Sequence, residues 1–411
     1  MKSVGVIVEY NPFHNGHYYH IQKSKKVTEA DIVVAVMSGN FLQRGEPALV
    51  SKWARTKMAL ESGVDVVIEL PYVFATQKAE VFAHGAVSLL HALKVDNLCF
   101  GSENGSIQSF QQTLHIMETK KDEFDNFIQP ALKEGTSYPR AAAEAFQSLG
   151  IIDSMVDLSE PNNILGFHYL QAIHQLKSNI QPYTIKRTKA NYHDEHIEDE
   201  QIASATSIRK TLFSGSTNLV EIQNVIPDTT FTHLESYKNK YGMFHQWEDY
   251  FPFLKYRLLS TTAAELKEIY EVEEGLENRI LQLITEAATF QEFMEKIKTK
   301  RYTWTRLQRI CLHILTNTKK QTMKNNNNQP TYIRLLGMSL LGQEYLHKIK
   351  KNLELPIVSR PSTFSNEQMM LDIKATNVYA SCLKEPFRTN MIKSEYVNPP
   401  IRYDQNNRQF L

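Results

Sequence analysis

Cysteine is scarce: three in 411 residues. Cys99, Cys311 and Cys382 stand far apart with no CxxC pair. That excludes a disulfide framework and a structural zinc site, and leaves three small buried hydrophobes as the expectation. A charge excess is also missing, since 46 Lys and Arg stand against 45 Asp and Glu for a formal net charge of +1. No whole-chain attraction to nucleic acid or membrane follows, so any such partner must be met by a local patch. Long apolar runs are absent too: none approaches the roughly 18 residues a membrane span needs, and Glu9 interrupts Met1–Tyr10 before a signal-peptide core could form. A cytoplasmic protein with no membrane partner is expected. There is no fixed-period repeat, and the one low-complexity stretch, Asn325–Asn328, reads as an exposed loop. What the chain does have is ordinary globular composition, 42% hydrophobic and 22% charged, enough for more than one core.

The first hundred residues alternate β-rich apolar runs with amphipathic stretches: Val4–Val8 then Gly16–Thr28, Ile32–Met37 then Ser51–Glu61, Val64–Leu70 then Lys78–Leu93, and finally Val95–Phe100. This βαβαβ order predicts an α/β fold, a doubly wound parallel sheet covered on both faces. Beyond Gly105 helices are predicted at Ile107–Thr119, Arg140–Leu149 and Asn162–Leu176, with a further strand at Tyr183–Arg187 and a helix opening near Ser204–Ser207. After about Ser214 the pattern is mainly helical. Charge divides along the same line, with 20 basic against 24 acidic residues in 1–215 and 26 against 21 in 216–411. Two units are therefore expected, 1–215 and 216–411.

Ligands of such sheets bind beyond the carboxyl ends of the strands. The sharpest signal lies there: His14-Asn15-Gly16-His17 follows the first strand and opens the first helix. Imidazoles three residues apart share a side of the first turn, and Gly16 lets a ligand approach the backbone. Amides of a helix N-terminus favour anions, and imidazole donors suit the charge that builds when an α-phosphorus is attacked and pyrophosphate departs. HxxH spacing also arises by accident, and a metal pair wants a third ligand, so no metal site is assigned. Further on, Ser204 and Thr206 place hydroxyls at a helix N-cap with Arg209 one turn later, a way to hold the β- and γ-phosphates of ATP.

Together these two fragments resemble the HxGH plus S/T-x-x-R signature of the nucleotidylyltransferase superfamily, a Rossmann-like fold. More narrowly, Val8–His17, Met37–Pro47, Glu69-Leu70-Pro71, Phe100–Glu103, Glu160–Gly166 and Lys186-Arg187 resemble the bacterial tRNA(Met) cytidine acetate ligases. These motifs are dense to about residue 215 and thin beyond. The resemblance implies that ATP and acetate give acetyl-adenylate and pyrophosphate. The acetyl group then passes to the exocyclic amine of the wobble cytidine of elongator tRNA(Met), with ATP as substrate and Mg²⁺ accompanying it. It further implies catalytic roles for His14 and His17. Around ATP it places Ile7, Val8, Glu9, Tyr10, Asn11, Pro12, Phe13, His14, Asn15, Gly16, His17 and His20, with Gly101, Asn162 and Arg187. The chemistry is coherent: cytidine's amine is conjugated with its ring and acetate is a poor electrophile, so a mixed anhydride with AMP repairs the second defect. Arg187 has a reason of its own, because a strand-end arginine can clamp phosphate bidentately.

Weaker candidates remain. Arg44 and Glu46 lie in a glycine-containing loop that could order over substrate, and Glu9 and Glu69 end strands where a carboxylate could coordinate Mg²⁺ or orient a substrate. Tyr192–His196 carries metal-like letters but reads as a solvated loop. Lys296–Lys351 holds 13 Lys and Arg and a single acid, Glu344. Within that run Arg301, Tyr302, Trp304, Arg306 and Arg309 interleave cations with aromatics, as phosphate contact and base stacking on tRNA would require. The rivals are a cofactor-forming adenylyltransferase acting on a small phosphorylated precursor, which leaves the basic run unexplained, and a non-catalytic tRNA-binding protein with a degenerate nucleotide fold, which leaves both histidines unexplained.

Overall fold

The computed structural model describes residues 1–134, 136, 140, 141, 144, 145, 148, 155–187, 203–214, 219–273, 275–326 and 328–411. Tyr192–His196 and the distal half of the predicted Arg140–Leu149 helix lie largely outside them.

Strand β1 (Ser3–Val8) pairs in parallel with β2 (Ile32–Ser38), and β2 with β3 (Val66–Leu70). On its other side β1 pairs in parallel with β4 (Asn97–Ser102), and β4 with β5 (Gln181–Lys186). The order β5-β4-β1-β2-β3 therefore reverses between β1 and β4. That reversal opens a crevice at the carboxyl edge, bounded by the loops after those two strands. Every residue of β2 is buried, with Ile32, Val34 and Val36 packing into one core and Val33, Ala35 and Met37 into another, as a strand covered on both faces requires. Helices Asn15–Thr28, Lys52–Glu61 and Ala79–Ala92 are the crossovers.

The second half is mostly helical, yet it also returns to the sheet. Strand β6 (Ile333–Ser339) pairs antiparallel with β3 through Val66↔Met338 and Glu69↔Arg334. Beyond it lie β7 (Ile357–Val358), β8 (Ile401–Asp404) and β9 (Gln409–Phe410). One mixed sheet thus crosses the divide expected at 215. Sequence reading misses β6 because a short apolar run buried on both faces has no periodicity to separate it from a buried helix.

Candidate active site

His14 is the N-cap of the helix Asn15–Thr28, with extended backbone at φ −142° and ψ 173°. Its Nδ1 accepts from the Gly16 amide at 3.1 Å, and the His17 Nδ1 accepts from the His14 amide at 3.3 Å. Two imidazoles thereby form the reciprocal cap that a Ser–Glu pair usually supplies. Because both Nδ1 atoms accept, each neutral ring carries its proton on Nε2 and presents that N–H as a donor. The rings stack at 3.7 Å between centroids, and the edges of Tyr10 and Phe13 meet His17 at 4.9 and 5.6 Å. Burial first, and the nearby Arg187 guanidinium second, lower the His14 pKa to about 4; the same forces hold His20 at about 4 and His17 well below its ordinary value. At neutral pH the pair consists of uncharged donors in a field already positive from Arg187.

Two arginines fix the loop before His14. Arg209, from the helix Ala205–Phe213, donates from Nη1 to the Asn11 carbonyl at 2.9 Å and pairs with Glu46 at 3.0 Å. Arg55, wholly buried on the helix Lys52–Glu61, donates to the carbonyls of Glu9, Ser38, Gly39 and Val50 and so ties together the ends of β1 and β2. Sequence reasoning passed over Arg55; its signal was a cation three residues after Lys52 on the face that also carries Met58 and Ala59. Ser204 caps its helix by accepting from the Ser207 amide at 3.1 Å, and Thr206 lies one turn before Arg209 on the face that borders a cavity.

Across the crevice Arg187 donates from Nη1 to the Asn162 Oδ1 at 3.3 Å. Glu103 accepts from the Asn162 side chain at 2.5 Å and from the Asn163 amide at 2.9 Å, neutralising the N-terminus of the helix Pro161–Gln175. Asn163 Oδ1 in turn accepts from the amides of Glu103 and Asn104, both at 3.1 Å. Glu103 and Asn163 are organisers that motif reading did not single out. A Cβ on Gly101 would stand 3.3 Å from Arg187 Cγ, so a side chain there would press on the arginine. The structure therefore gathers His14, His17, His20, Gly101, Asn162 and Arg187 around one crevice, with Ile7 and Val8 below it and Pro12, Asn15 and Gly16 in its rim loop and first turn.

Other candidates are corrected. The Glu9 carboxylate is buried and accepts from the Gln43 amide at 2.7 Å, and burial raises its pKa. Glu69 meets the Lys52 Nζ at 2.7 Å, Lys52 reaches Glu395 at 2.8 Å, and Arg334 approaches Glu395 at 3.9 Å, with all four side chains at most 4% exposed. Both strand-end carboxylates are thus engaged within the protein rather than offered to Mg²⁺. In the basic run Tyr302 is 5% exposed and Arg309, with an 8% exposed side chain, is held by Glu271 at 3.1 Å. Neither is placed to stack a base or meet a phosphate. Arg306 lies over the Tyr302 ring at 5.0 Å and pairs with Glu273 at 3.2 Å. Arg301 is exposed and Trp304 half-buried. Counting charge along the sequence misses these acids, which precede the run but fold against it. Among the described residues no cluster of three or more His, Cys, Asp or Glu could hold a metal.

The model of a family described as HIGH Nucleotidyl Transferase matches residues 1–395. A tRNA(Met) cytidine acetate ligase of Geobacillus sp. (strain WCH70) is 55% identical over 402 residues, covering 98% of this chain and all of the relative. One of Bacillus licheniformis is 53% identical over 415 residues, covering both chains fully. The crystal structure of Thermotoga maritima TmcAL bound with alpha-thio ATP superimposes with a TM-score of 0.89 at 34% identity, over 98% of this chain and 99% of that one.

Proposed function

The chain belongs to the HIGH nucleotidyl transferase family and, within it, to the tRNA(Met) cytidine acetate ligases, and from that membership we propose how its residues divide the work of an ATP-dependent ligase. Acetate oxygen attacks the α-phosphorus of ATP, the bond to pyrophosphate breaks, and acetyl-adenylate forms. The cytidine exocyclic amine then attacks the acetyl carbon, AMP leaves, and the amine gives up a proton. The observation that carries this reading is the pair of Nε2–H donors of His14 and His17 beside Arg187, at the point where the strand order reverses. Donors fixed before the reaction stabilise charge that appears on the phosphate oxygens only in the transition state.

In this scheme Gly101, Asn162 and Arg187 hold ATP from the β4–β5 side, the first loop through His20 holds it from below, and Ser204, Thr206 and Arg209 face its β- and γ-phosphates. Mg²⁺ arrives with the nucleotide, held by phosphate oxygens and water as such small cations prefer; Glu9 and Glu69 are committed elsewhere. Residues 1–215 make up the catalytic unit, and 216–411 supply helices that dock elongator tRNA(Met). Of the five basic-run candidates, Arg301, Trp304 and Arg306 take the RNA contacts, and Tyr302 and Arg309 brace them from behind. No helix among the described residues is long and apolar enough to cross a membrane, which suits an enzyme acting on tRNA in the cytoplasm.

The test is incubation of the purified protein with ATP, acetate and unmodified tRNA(Met), followed by mass spectrometry of the nucleosides. Acetylcytidine that requires both ATP and acetate, with pyrophosphate released, is expected. Its absence alongside AMP transfer to a small phosphorylated acceptor would replace this reading with the cofactor-forming one.

A further inference from the structure

The deepest unassigned feature is a cavity of about 340 Å³ where the helix Ala205–Phe213 and the loop holding Glu46 meet the helices Trp247–Leu259, Phe290–Ile297 and Trp304–Leu315. We propose that this cavity receives the pyrimidine base to be acylated, swung out of its RNA stack, and that it is the element that distinguishes cytosine from uracil. The inference rests on the function proposed above and gives the second substrate of that reaction its place.

Position supports it first. Arg209 lines the cavity and also holds the Asn11 carbonyl, three residues before His14, so one wall is shared with the loop that carries the histidine pair. The opposite wall comes from the second half of the chain. An acceptor that must reach an acyl-adenylate from the RNA side has to enter at this seam.

The lining supports it next. Trp247 is a rigid plate: its Nε1–H donates to the Gly45 carbonyl at 2.9 Å, and its ring stacks on Phe290 at 4.2 Å with 7° between planes. Phe213 supplies a second ring. Gln308 is only 6% exposed, yet its carboxamide has no hydrogen-bond partner among the described residues. A buried amide left this way costs free energy, and a ligand bearing both donors and acceptors on one edge recovers it. Cytosine is such a ligand. Its amine can donate to the Glu46 carboxylate or the Gln308 oxygen, while its ring nitrogen and carbonyl accept from the Gln308 amide. Uracil would turn a carbonyl toward the same acceptors and leave lone pairs facing lone pairs. At the mouth, exposed Lys210 suits the nucleotide's phosphate. Taking one base out of a single-stranded loop and seating it among rings and amides is how proteins commonly read RNA.

The test uses the full-length protein, anticodon stem-loop RNAs that differ only in cytidine or uridine at the acceptor position, and three variants: Gln308→Ala, Phe213→Ala and Gln291→Ala. The last two lie at the cavity's more open side and serve if loss of the buried amide impairs folding, which circular dichroism reports. For the wild type, anisotropy should show the cytidine loop binding about tenfold more tightly than the uridine loop, a ratio expected from one matched hydrogen bond against one mismatched. The variants should keep acetate-dependent pyrophosphate exchange within about twofold. Their acetyl transfer should fall at least tenfold, and in Gln308→Ala the cytidine preference should vanish. Unchanged transfer in the folded variants, or a preference that survives Gln308→Ala, overturns the cavity assignment alone. If wild type itself makes no acetylcytidine, it is the underlying function that falls.

Discussion

Two polar clusters sit at the carboxyl edge of the same sheet and use their charges in opposite ways. Around Lys52, the carboxylates of Glu69 and Glu395 and the guanidinium of Arg334 close on one another in the interior. In the crevice, by contrast, backbone amides occupy only the Nδ1 atoms of His14 and His17, so their Nε2–H groups point outward, and Arg187 spends a single contact on Asn162. The first cluster bonds the two halves of the chain. The second is poised for something that is not protein. Lying at the ligand edge is therefore a weak criterion for a functional residue; what separates the two clusters is whether their hydrogen-bonding capacity is already consumed.

Substitutions can break this contrast. The largest effect should come from Glu395→Ala, which strands Lys52 in the interior. Removing one partner of a buried pair costs about 3–5 kcal/mol, so urea melts should show a large loss of stability, while the molecules still folded keep near-normal pyrophosphate exchange. A variant that stayed stable but lost exchange would move the cluster into the active site. His14→Ala and His17→Ala should invert that pattern, with exchange falling about 10²–10³-fold through loss of a transition-state donor and melts little changed. Arg187→Ala should come next, raising the ATP concentration needed for half-maximal exchange without altering tRNA affinity. If tRNA affinity moved instead, the arginine would belong to the RNA face. Double replacement of Arg301 and Arg306 should flatten the salt dependence of tRNA binding by roughly 0.7–0.9 logarithmic units per lost phosphate contact, and less to the extent that Glu273 already occupies Arg306. The smallest effect is one of pH. With His14 and His20 held at about 4, exchange should show no inflection near 6.5. The neutral rings favour the folded state above their ordinary pKa, and that contribution should fade as pH falls from 6.5 toward 4, visible as a lower melting temperature.

The α/β half was legible because its strands are apolar runs separated by amphipathic crossovers, and because a capped helix after β1 needs few letters to announce itself. Gly101, Asn162 and Arg187 could be found only through resemblance, since nothing in their local sequence says that β4 and β5 bring them to the histidines. Arg309 and Tyr302 were misjudged because a run of cations does not reveal acids such as Glu271 and Glu273 folded against it from upstream. Strand β6 was invisible for a different reason: its partner β3 lies more than two hundred residues earlier in the chain, and no local pattern encodes such a pairing.

That distant pairing has a consequence for how the protein comes into being. As the chain leaves the ribosome, β1 to β3 can assemble early, but the outer edge of β3 has no neighbour until Ile333–Ser339 emerges about 260 residues later. At roughly 5–20 residues per second, the nascent sheet spends on the order of ten seconds to a minute with an open, wholly apolar-faced edge, the kind of surface on which chains join one another. Slower translation over the helical segments would lengthen that exposure, and a fragment ending at 215 would carry it permanently.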